Sequence, residues 1–395
     1  MTGNFKFKVS ANMRYGAGES ARLGEEMKEL GYSNTAAIVD KGVFDHPRVR
    51  KALESVTAAG IRLDVVKNPA AEPTYGFLES FRNNFKAGRY DSLIGIGGGS
   101  TLDLAKGIAV LLTNDGPAIS FRGFPKLRER PLPVVALPTT AGTGSEVTYN
   151  AVFTDEKEKR KLGINSEYNY PVLAILDPLL TMDCPVNVTV SSGMDAMTHT
   201  LESFVHKNHT VVSRALSREA FRLLYNNLTK VLSNMGDVEI RGRLQIGSYL
   251  AAMALINSGS GPAAALSYPL GVHYKVPHGI AGAIFLPSVT EYNVRKGYTD
   301  YDELHDLIEG SDKGLTPDAK NRAFAGYIKE LAAKLHVPAS LSGLGLKDRD
   351  VEFMIDQYDM LKNGIAQNPI GMAKEDIAAM LRSLNKETER KDARI

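Results

Sequence analysis

Asp195 and His199 stand four residues apart in Ser191-Ser192-Gly193-Met194-Asp195-Ala196-Met197-Thr198-His199-Thr200-Leu201-Glu202. On a helix that spacing puts both on one face, one turn apart. A carboxylate and an imidazole so placed can hold a divalent ion such as iron or zinc, and the same pair can equally form an ordinary salt bridge. A second imidazole, His278, comes from the sharp turn Val276-Pro277-His278-Gly279. A different chemistry resides in Ile94-Gly95-Ile96-Gly97-Gly98-Gly99-Ser100-Thr101-Leu102-Asp103, which reads as a strand, a glycine turn and a helix start. Glycines let backbone approach a pyrophosphate, and a helix N-terminus offers free N–H groups and a positive dipole end. Ser100 stands where an N-cap belongs, with Asp103 three residues on, as in a capping box. The run departs from the usual dinucleotide fingerprint in its glycine spacing and lacks an acid about 20 residues downstream. A plain strand-to-helix turn would look the same. The candidate acid lies upstream: Asp40 ends a strand and could accept from ribose hydroxyls, and it would repel a 2′-phosphate, favouring NAD over NADP. A second turn, Leu137-Pro138-Thr139-Thr140-Ala141-Gly142-Thr143-Gly144-Ser145-Glu146, follows a strand with small hydroxyls that can donate to phosphate or amide.

These residues need a frame. Residues 35–40, 62–66, 92–96 and 134–137 read as buried strands, with helical patterns over 43–59, 77–87 and 101–113 between them. Strands alternating with helices imply a parallel, doubly wound sheet covered on both faces. After Asp177-Pro178 helical periodicity dominates, with breaks expected at Gly259 to Pro262 and at Pro269 to Gly271. The expected organisation is an α/β dinucleotide-binding domain over 1–180 and a helical metal and substrate domain over 181–395. The 395 residues suffice for two cores, and 43% hydrophobic with 23% charged content is ordinary for a globular chain. A net charge of +2 argues against nucleic acid or an anionic membrane as the main partner. One cysteine, Cys184, excludes an internal disulfide and a thiolate metal cluster. No apolar run has the length of a membrane span, and the start lacks the stretch of a signal peptide. A cytoplasmic setting is expected, with a solvated, mixed-charge end over Lys386 to Arg394.

Taken together and in this order, these stretches resemble the iron-containing (group III) alcohol dehydrogenase family. The matching runs are Gly97 to Ser100 with Asp103 and Lys106, Pro138 to Glu146, Asp177-Pro178, Gly193 to Ala196 with His199 and Glu202, and Pro277 to Gly279. The resemblance implies a Rossmann-like N-terminal domain and an all-helical C-terminal domain, an architecture shared with dehydroquinate synthase. It implies an alcohol/aldehyde oxidoreductase whose partners are a small alcohol or aldehyde and a second copy in a homodimer. Carried over by position, Asp40, Gly97, Gly98, Ser100, Asp103, Thr139, Thr140, Thr143 and Lys161 become contacts for NAD, with NADP less favoured. Asp195, His199 and His278 become ligands of a divalent metal, Fe2+ or Zn2+, acting as a Lewis acid on the substrate oxygen.

One departure bears on the chemistry. The family pattern supplies a further ligand histidine 14 residues before the histidine of the Pro-His-Gly turn, and a non-ligand histidine four residues later. Counted back from His278, those positions are Ala264 and Tyr268, with Asn257 and Gly261 holding the register. Three readings stay open: three ligands with open positions, as in catalytic three-ligand sites; His273 as a replacement; or a metal-free site in which Tyr268 or His273 polarises the substrate oxygen. A cyclising lyase and a catalytically silent nucleotide-binding paralogue are the competing classes. Arg160 to Ser166 with Tyr168, and Ser267 to Gly271, are similar to the subgroup that includes 3-deoxy-octulosonate 8-oxidase. Together with Lys161, Asn165, Tyr268 and His273 they suggest a sugar acid or another anionic polyol as substrate.

Overall fold

The computed structural model describes residues 4–9, 11–69 and 72–386. Beyond Lys386 the charged end lies outside the described residues. The chain divides into two compact units, one made of Val9–Thr189 with Asn234–Met253, the other mainly of Val190–Ser233 and the residues from Ala254 onward.

The first unit carries strands and helices in alternation: β1 (Asn12–Tyr15), α1 (Leu23–Glu29), β2 (Asn34–Asp40), α2 (Pro47–Ala58), β3 (Arg62–Asn68), α3 (Tyr75–Phe81), β4 (Ser92–Gly97), α4 (Gly99–Thr113) and β5 (Val134–Pro138). A hairpin follows, β6 (Asn150–Asp155) and β7 (Arg160–Asn165), then β8 (Leu173–Leu176). Six strands form one sheet in the order β1-β8-β5-β4-β2-β3, every pair parallel. The apolar run of β2 explains its central place. Ala36 and Ile38 join Leu78, Leu104 and Ile108 on one face, while Ala37 and Val39 join Met27, Val49 and Val56 on the other. Alternate side chains of a strand thus meet helices on both sides, which is how a parallel sheet buries a continuous hydrophobic run.

The order of strands locates the site. From β2 the chain moves outward to β3, then returns across β2 to β4 and proceeds the other way to β5. The topological switch therefore lies between the carboxyl ends of β2 and β4, where ligands of open α/β sheets bind. Val39 pairs with Ile96 and Gly97 with Pro138, so Asp40, Gly97 and Thr139 emerge level at that edge. The β6–β7 hairpin was not expected from the sequence; it is antiparallel, from Asn150 opposite Asn165 to Asp155 opposite Arg160.

The remaining elements are helices: α5 (Val186–Val205), α6 (Val211–Ser233), α7 (Val238–Ser258), α8 (Pro262–Tyr274), α9 (His278–Arg295), α10 (Asp302–His305), α11 (Pro317–Lys334), α12 (Asp348–Asp356), α13 (Tyr358–Ile365) and α14 (Lys374–Lys386). The break expected at Gly259 to Pro262 separates α7 from α8. The break expected at Pro269 does not occur: α8 runs through it with Pro269 buried inside. Proline removes one backbone donor and disfavours a helix interior, but the run from Pro262 to Ser267 ahead of it is buried throughout and the packing overrides the local preference. Among the described residues no helix is long and apolar enough to cross a membrane.

Candidate active site

At the sheet edge of the first unit, Asp40 is fixed by its own turn. Its Oδ1 accepts from the Gly42 N–H at 2.7 Å and its Oδ2 from the Thr101 hydroxyl at 3.1 Å. Gly97 lies so close that an added Cβ would stand 2.8 Å from both the Asp40 and Thr101 Cβ atoms, so glycine is needed where the strand passes the carboxylate. Helix α4 starts at Gly99 with Gly98 as its N-cap and no side-chain cap. The expected capping box of Ser100 and Asp103 is therefore absent. Ser100 sits half-buried in the first turn and does not cap the helix N-terminus.

Asp103, expected as a nucleotide contact, is engaged within the fold. Its carboxylate accepts from the Ser145 hydroxyl at 2.5 Å and from the Val152 N–H at 2.9 Å, and it pairs with Lys106 at 3.1 Å. Lys106, wholly buried, donates to the carbonyls of Ser145 at 3.0 Å, Thr148 at 3.3 Å and Asn150. Burial lowers the Lys106 pKa, partly offset by Asp103. Beside it burial pushes the Glu146 carboxyl up to about 7, with Lys106 opposing the rise. This polar core anchors the segment after the hydroxyl turn. The turn itself is tied to the glycine loop by the Thr139 N–H donating to the Gly97 carbonyl at 3.0 Å. Thr139 is buried, Thr140 half-buried and Thr143 exposed at the edge. Gly144, at φ 64°, turns the chain in the left-handed region against Ala252. Lys161, on β7, is ion-paired with Glu72 at 3.1 Å.

In the second unit, α5 presents Asp195 and His199, both buried, as the spacing of four required. Helix α9 begins at His278 after the extended Pro277. Gly279 lets α9 seat on the α5 backbone at Ser191, where any side chain would collide with the Ser191 carbonyl. That seating brings His278 to Asp195. The Asp195 Oδ1 lies 3.7 Å from His199 Nε2 and 3.9 Å from His278 Nε2. Both gaps exceed a direct hydrogen bond. The His199 Nδ1 is buried with no hydrogen-bond partner. The three donors are of the type that binds iron or zinc. Among the described residues, however, no group of three His, Cys, Asp or Glu side chains is closed into a formed metal centre. Ala264 adds no donor; its backbone N–H instead faces Glu202 at 3.3 and 3.4 Å.

Tyr268 joins this cluster, with its ring centroid 5.6 Å from that of His278 and 37% of its surface exposed. Surrounding protein raises its phenol pKa, with Asp195 and Glu202 adding charge repulsion. His273 does not join it. Five positions along an unbroken helix turn a side chain by roughly 140° from Tyr268, and the His273 ring packs edge-on against Phe353 of α12 at 4.8 Å. Two participants escaped the spacing argument. Ser267 meets His278 Nδ1 at 3.1 Å. Glu202, seven positions after Asp195 on α5, accepts the Gly261 N–H at 2.7 Å and the Ala263 N–H at 2.6 Å. In the sequence it stood only among the runs that carry the family resemblance, with no role attached.

Comparison with known proteins supplies the family. Residues 10–178 match the iron-containing alcohol dehydrogenase model, and residues 189–385 match the C-terminal model of the Fe-containing alcohol dehydrogenase family. The chain is 32% identical over 372 residues to 1,3-propanediol dehydrogenase of Klebsiella pneumoniae, covering 93% of this chain and 95% of that one. It is 29% identical over 339 residues to NAD-dependent methanol dehydrogenase of Bacillus methanolicus, covering 86% and 89%. A crystal structure of 1,3-propanediol oxidoreductase superposes with a TM-score of 0.91 at 30% identity, covering 96% of this chain and all of that one. With the glycine turn, the hydroxyl turn and the Asp195–His199–His278 cluster in place, the chain belongs to the iron-containing alcohol dehydrogenase family and is an alcohol/aldehyde oxidoreductase.

Proposed function

We propose that this protein interconverts a small polar alcohol and its aldehyde or ketone with NAD as hydride carrier, and that Asp195, His199 and His278 hold a divalent cation at the substrate oxygen. The observation that carries the reading is the placement of Asp195 Oδ1 between two imidazole Nε2 atoms, at 3.7 and 3.9 Å, with a buried orphan nitrogen on His199. A cation bound there would supply Lewis acidity, lowering the pKa of an alcohol and polarising a carbonyl. The chain's own groups do the rest. The glycine turn and the N-terminus of α4 receive the pyrophosphate, Thr139, Thr140 and Thr143 supply hydroxyls, and Asp40 takes the ribose hydroxyls and repels a 2′-phosphate. In oxidation the alcohol carbon gives a hydride to the nicotinamide while the hydroxyl gives up its proton to solvent water. The raised pKa keeps the Tyr268 phenol protonated, so it donates to the substrate oxygen in the reductive direction.

A metal-free variant of the same reaction, with Tyr268 as the polarising donor, is favoured by one observation: position 264 offers a methyl group where the family pattern has a ligand. For the substrate, pairing of Lys161 with Glu72 removes one of the cations on which the expectation of an anionic polyol rested. A neutral, polar alcohol therefore fits better than a sugar acid. The test is titration with NADH and NADPH, turnover of a panel of diols, short alcohols and sugar acids, and elemental analysis with activity before and after chelation. Saturable NADH binding with chelator-sensitive turnover of a neutral diol is the expected result. No saturable NADH binding refutes the reading, and full activity in metal-free protein refutes the cation alone.

A further inference from the structure

The His278 ring is held by a contact whose direction can be deduced. Ser267 lies on α8, wholly buried, and its Oγ is 2.7 Å from the Ala264 carbonyl and 3.1 Å from His278 Nδ1. A serine hydroxyl has one proton to give and two lone pairs to receive. The carbonyl oxygen can only accept, so the Ser267 proton goes to Ala264. Toward His278 the same oxygen can then only accept, and the hydrogen of that bond has to sit on Nδ1. A neutral imidazole with Nδ1–H bears its lone pair on Nε2, the atom that lies 3.9 Å from Asp195 Oδ1.

We propose that Ser267 is a positioning residue that fixes the tautomer of His278, relaying the orientation of the Ala264 carbonyl through its hydroxyl so that the Nε2 lone pair faces the Asp195 cluster. The backbone of the residue that lacks a ligand side chain thereby orients a ring that remains. The arrangement suits either occupant of the cluster: a cation needs a bare nitrogen donor, and a substrate hydroxyl needs an acceptor. Its catalytic consequence rests on the reading above that His278 faces the substrate oxygen; the tautomer itself does not.

The experiment is nitrogen-15 and proton NMR of the full-length, chelator-treated protein labelled at histidine, recorded at mildly alkaline pH where imidazoles are neutral. The His278 signals are identified by their disappearance in His278→Asn. The pattern of couplings between ring nitrogens and ring C–H protons separates the Nδ1–H form from the Nε2–H form. In the unmodified protein His278 is expected as Nδ1–H. In Ser267→Ala it should move toward the Nε2–H form that free histidine prefers, and Ser267→Thr, which keeps a hydroxyl, should retain the Nδ1–H pattern. Alongside, Ser267→Ala should lower kcat for aldehyde reduction by about tenfold, as loss of an orienting partner does, with KM for NADH unchanged. An Nε2–H form in the unmodified protein, or an identical pattern in Ser267→Ala, overturns the proposal. A protein that shows the Nδ1–H form and its loss in Ser267→Ala, yet turns over no alcohol or aldehyde, would sink the proposed function and leave the tautomer assignment standing.

Discussion

Gly99, the first residue of α4, lies against Thr143 of the hydroxyl turn with room for hydrogen only: a Cβ at 99 would run into the threonine Oγ1, Cγ2 and Cβ. The glycine turn and the hydroxyl turn are thus in direct contact through the side chain of one and the bare backbone of the other.

Gly99→Ala forces these turns apart. Overpacking of this kind costs about 1–3 kcal/mol, and 1.4 kcal/mol is about a tenfold change in affinity. The dissociation constant for NADH, followed by its fluorescence, should rise about tenfold or more. An unchanged constant would show that Thr143 swings aside freely.

If Asp40 takes the ribose hydroxyls as proposed, it governs the choice between NAD and NADP. Its carboxylate faces the switch point, held by Gly42 and Thr101. Asp40→Ala should weaken NAD and strengthen NADP, shifting the ratio of kcat/KM values toward NADP by about tenfold or more, in keeping with removal of one close like charge. A ratio that stays put would move the ribose contact elsewhere.

Much of this was legible in the sequence, and the misses have physical causes. The alternation of β2, α2, β3 and β4 follows from short apolar runs, because both faces of a parallel sheet are covered. The Asp195 and His199 face follows from helical period alone. The hairpin at 150–165 did not announce itself in the sequence, because its pairing depends on burial of Ala151, Phe153 and Ile164 against the sheet. Pro269 signalled a stop that packing overrode. The partners of Asp103 within the fold, Ser145 and Val152, lie 42 and 49 residues away. Long-range partners of this kind have no local signature. The sequence likewise places His273 near Tyr268 by number, and only an unbroken helix shows that they face different ways.

Glu202 gives a pH dependence to stability. Burial pushes its carboxyl up to about 7, above the usual range, against the lowering effect of the Gly261, Ala263 and Ala264 N–H groups. A raised folded-state pKa means that the folded protein binds the proton more tightly than the unfolded chain. The associated stability is fully present below about pH 4.3, the unfolded value, and is lost as pH rises through about 7. Its size is on the order of 3 kcal/mol. Urea unfolding at pH 5 and pH 7.5 should therefore show a larger loss for the unmodified protein than for Glu202→Gln. Parallel losses would place the proton elsewhere.

Ala264→His restores a donor three positions before Ser267. If Asp195, His199 and His278 form an incomplete cation site, the variant should retain more zinc or iron after dialysis, with affinity increased about tenfold or more; the strength of an added imidazole ligand supports that scale. Calorimetric titration with Zn2+ checks it. Equal metal affinity in a folded variant would show that position 264 does not reach the cluster.

The buried amine of Lys106 has a last consequence. Since Asp103 and Lys106 rise from the same helix that opens at Gly99 and together hold Ser145, Thr148, Asn150 and Val152, the glycine turn and the segment after the hydroxyl turn are cast in one piece. Should the proposed coenzyme site hold, a protein engineer wishing to exchange one coenzyme for another would find this braced piece hard to adjust and would turn first to the rim, at the acid of position 40.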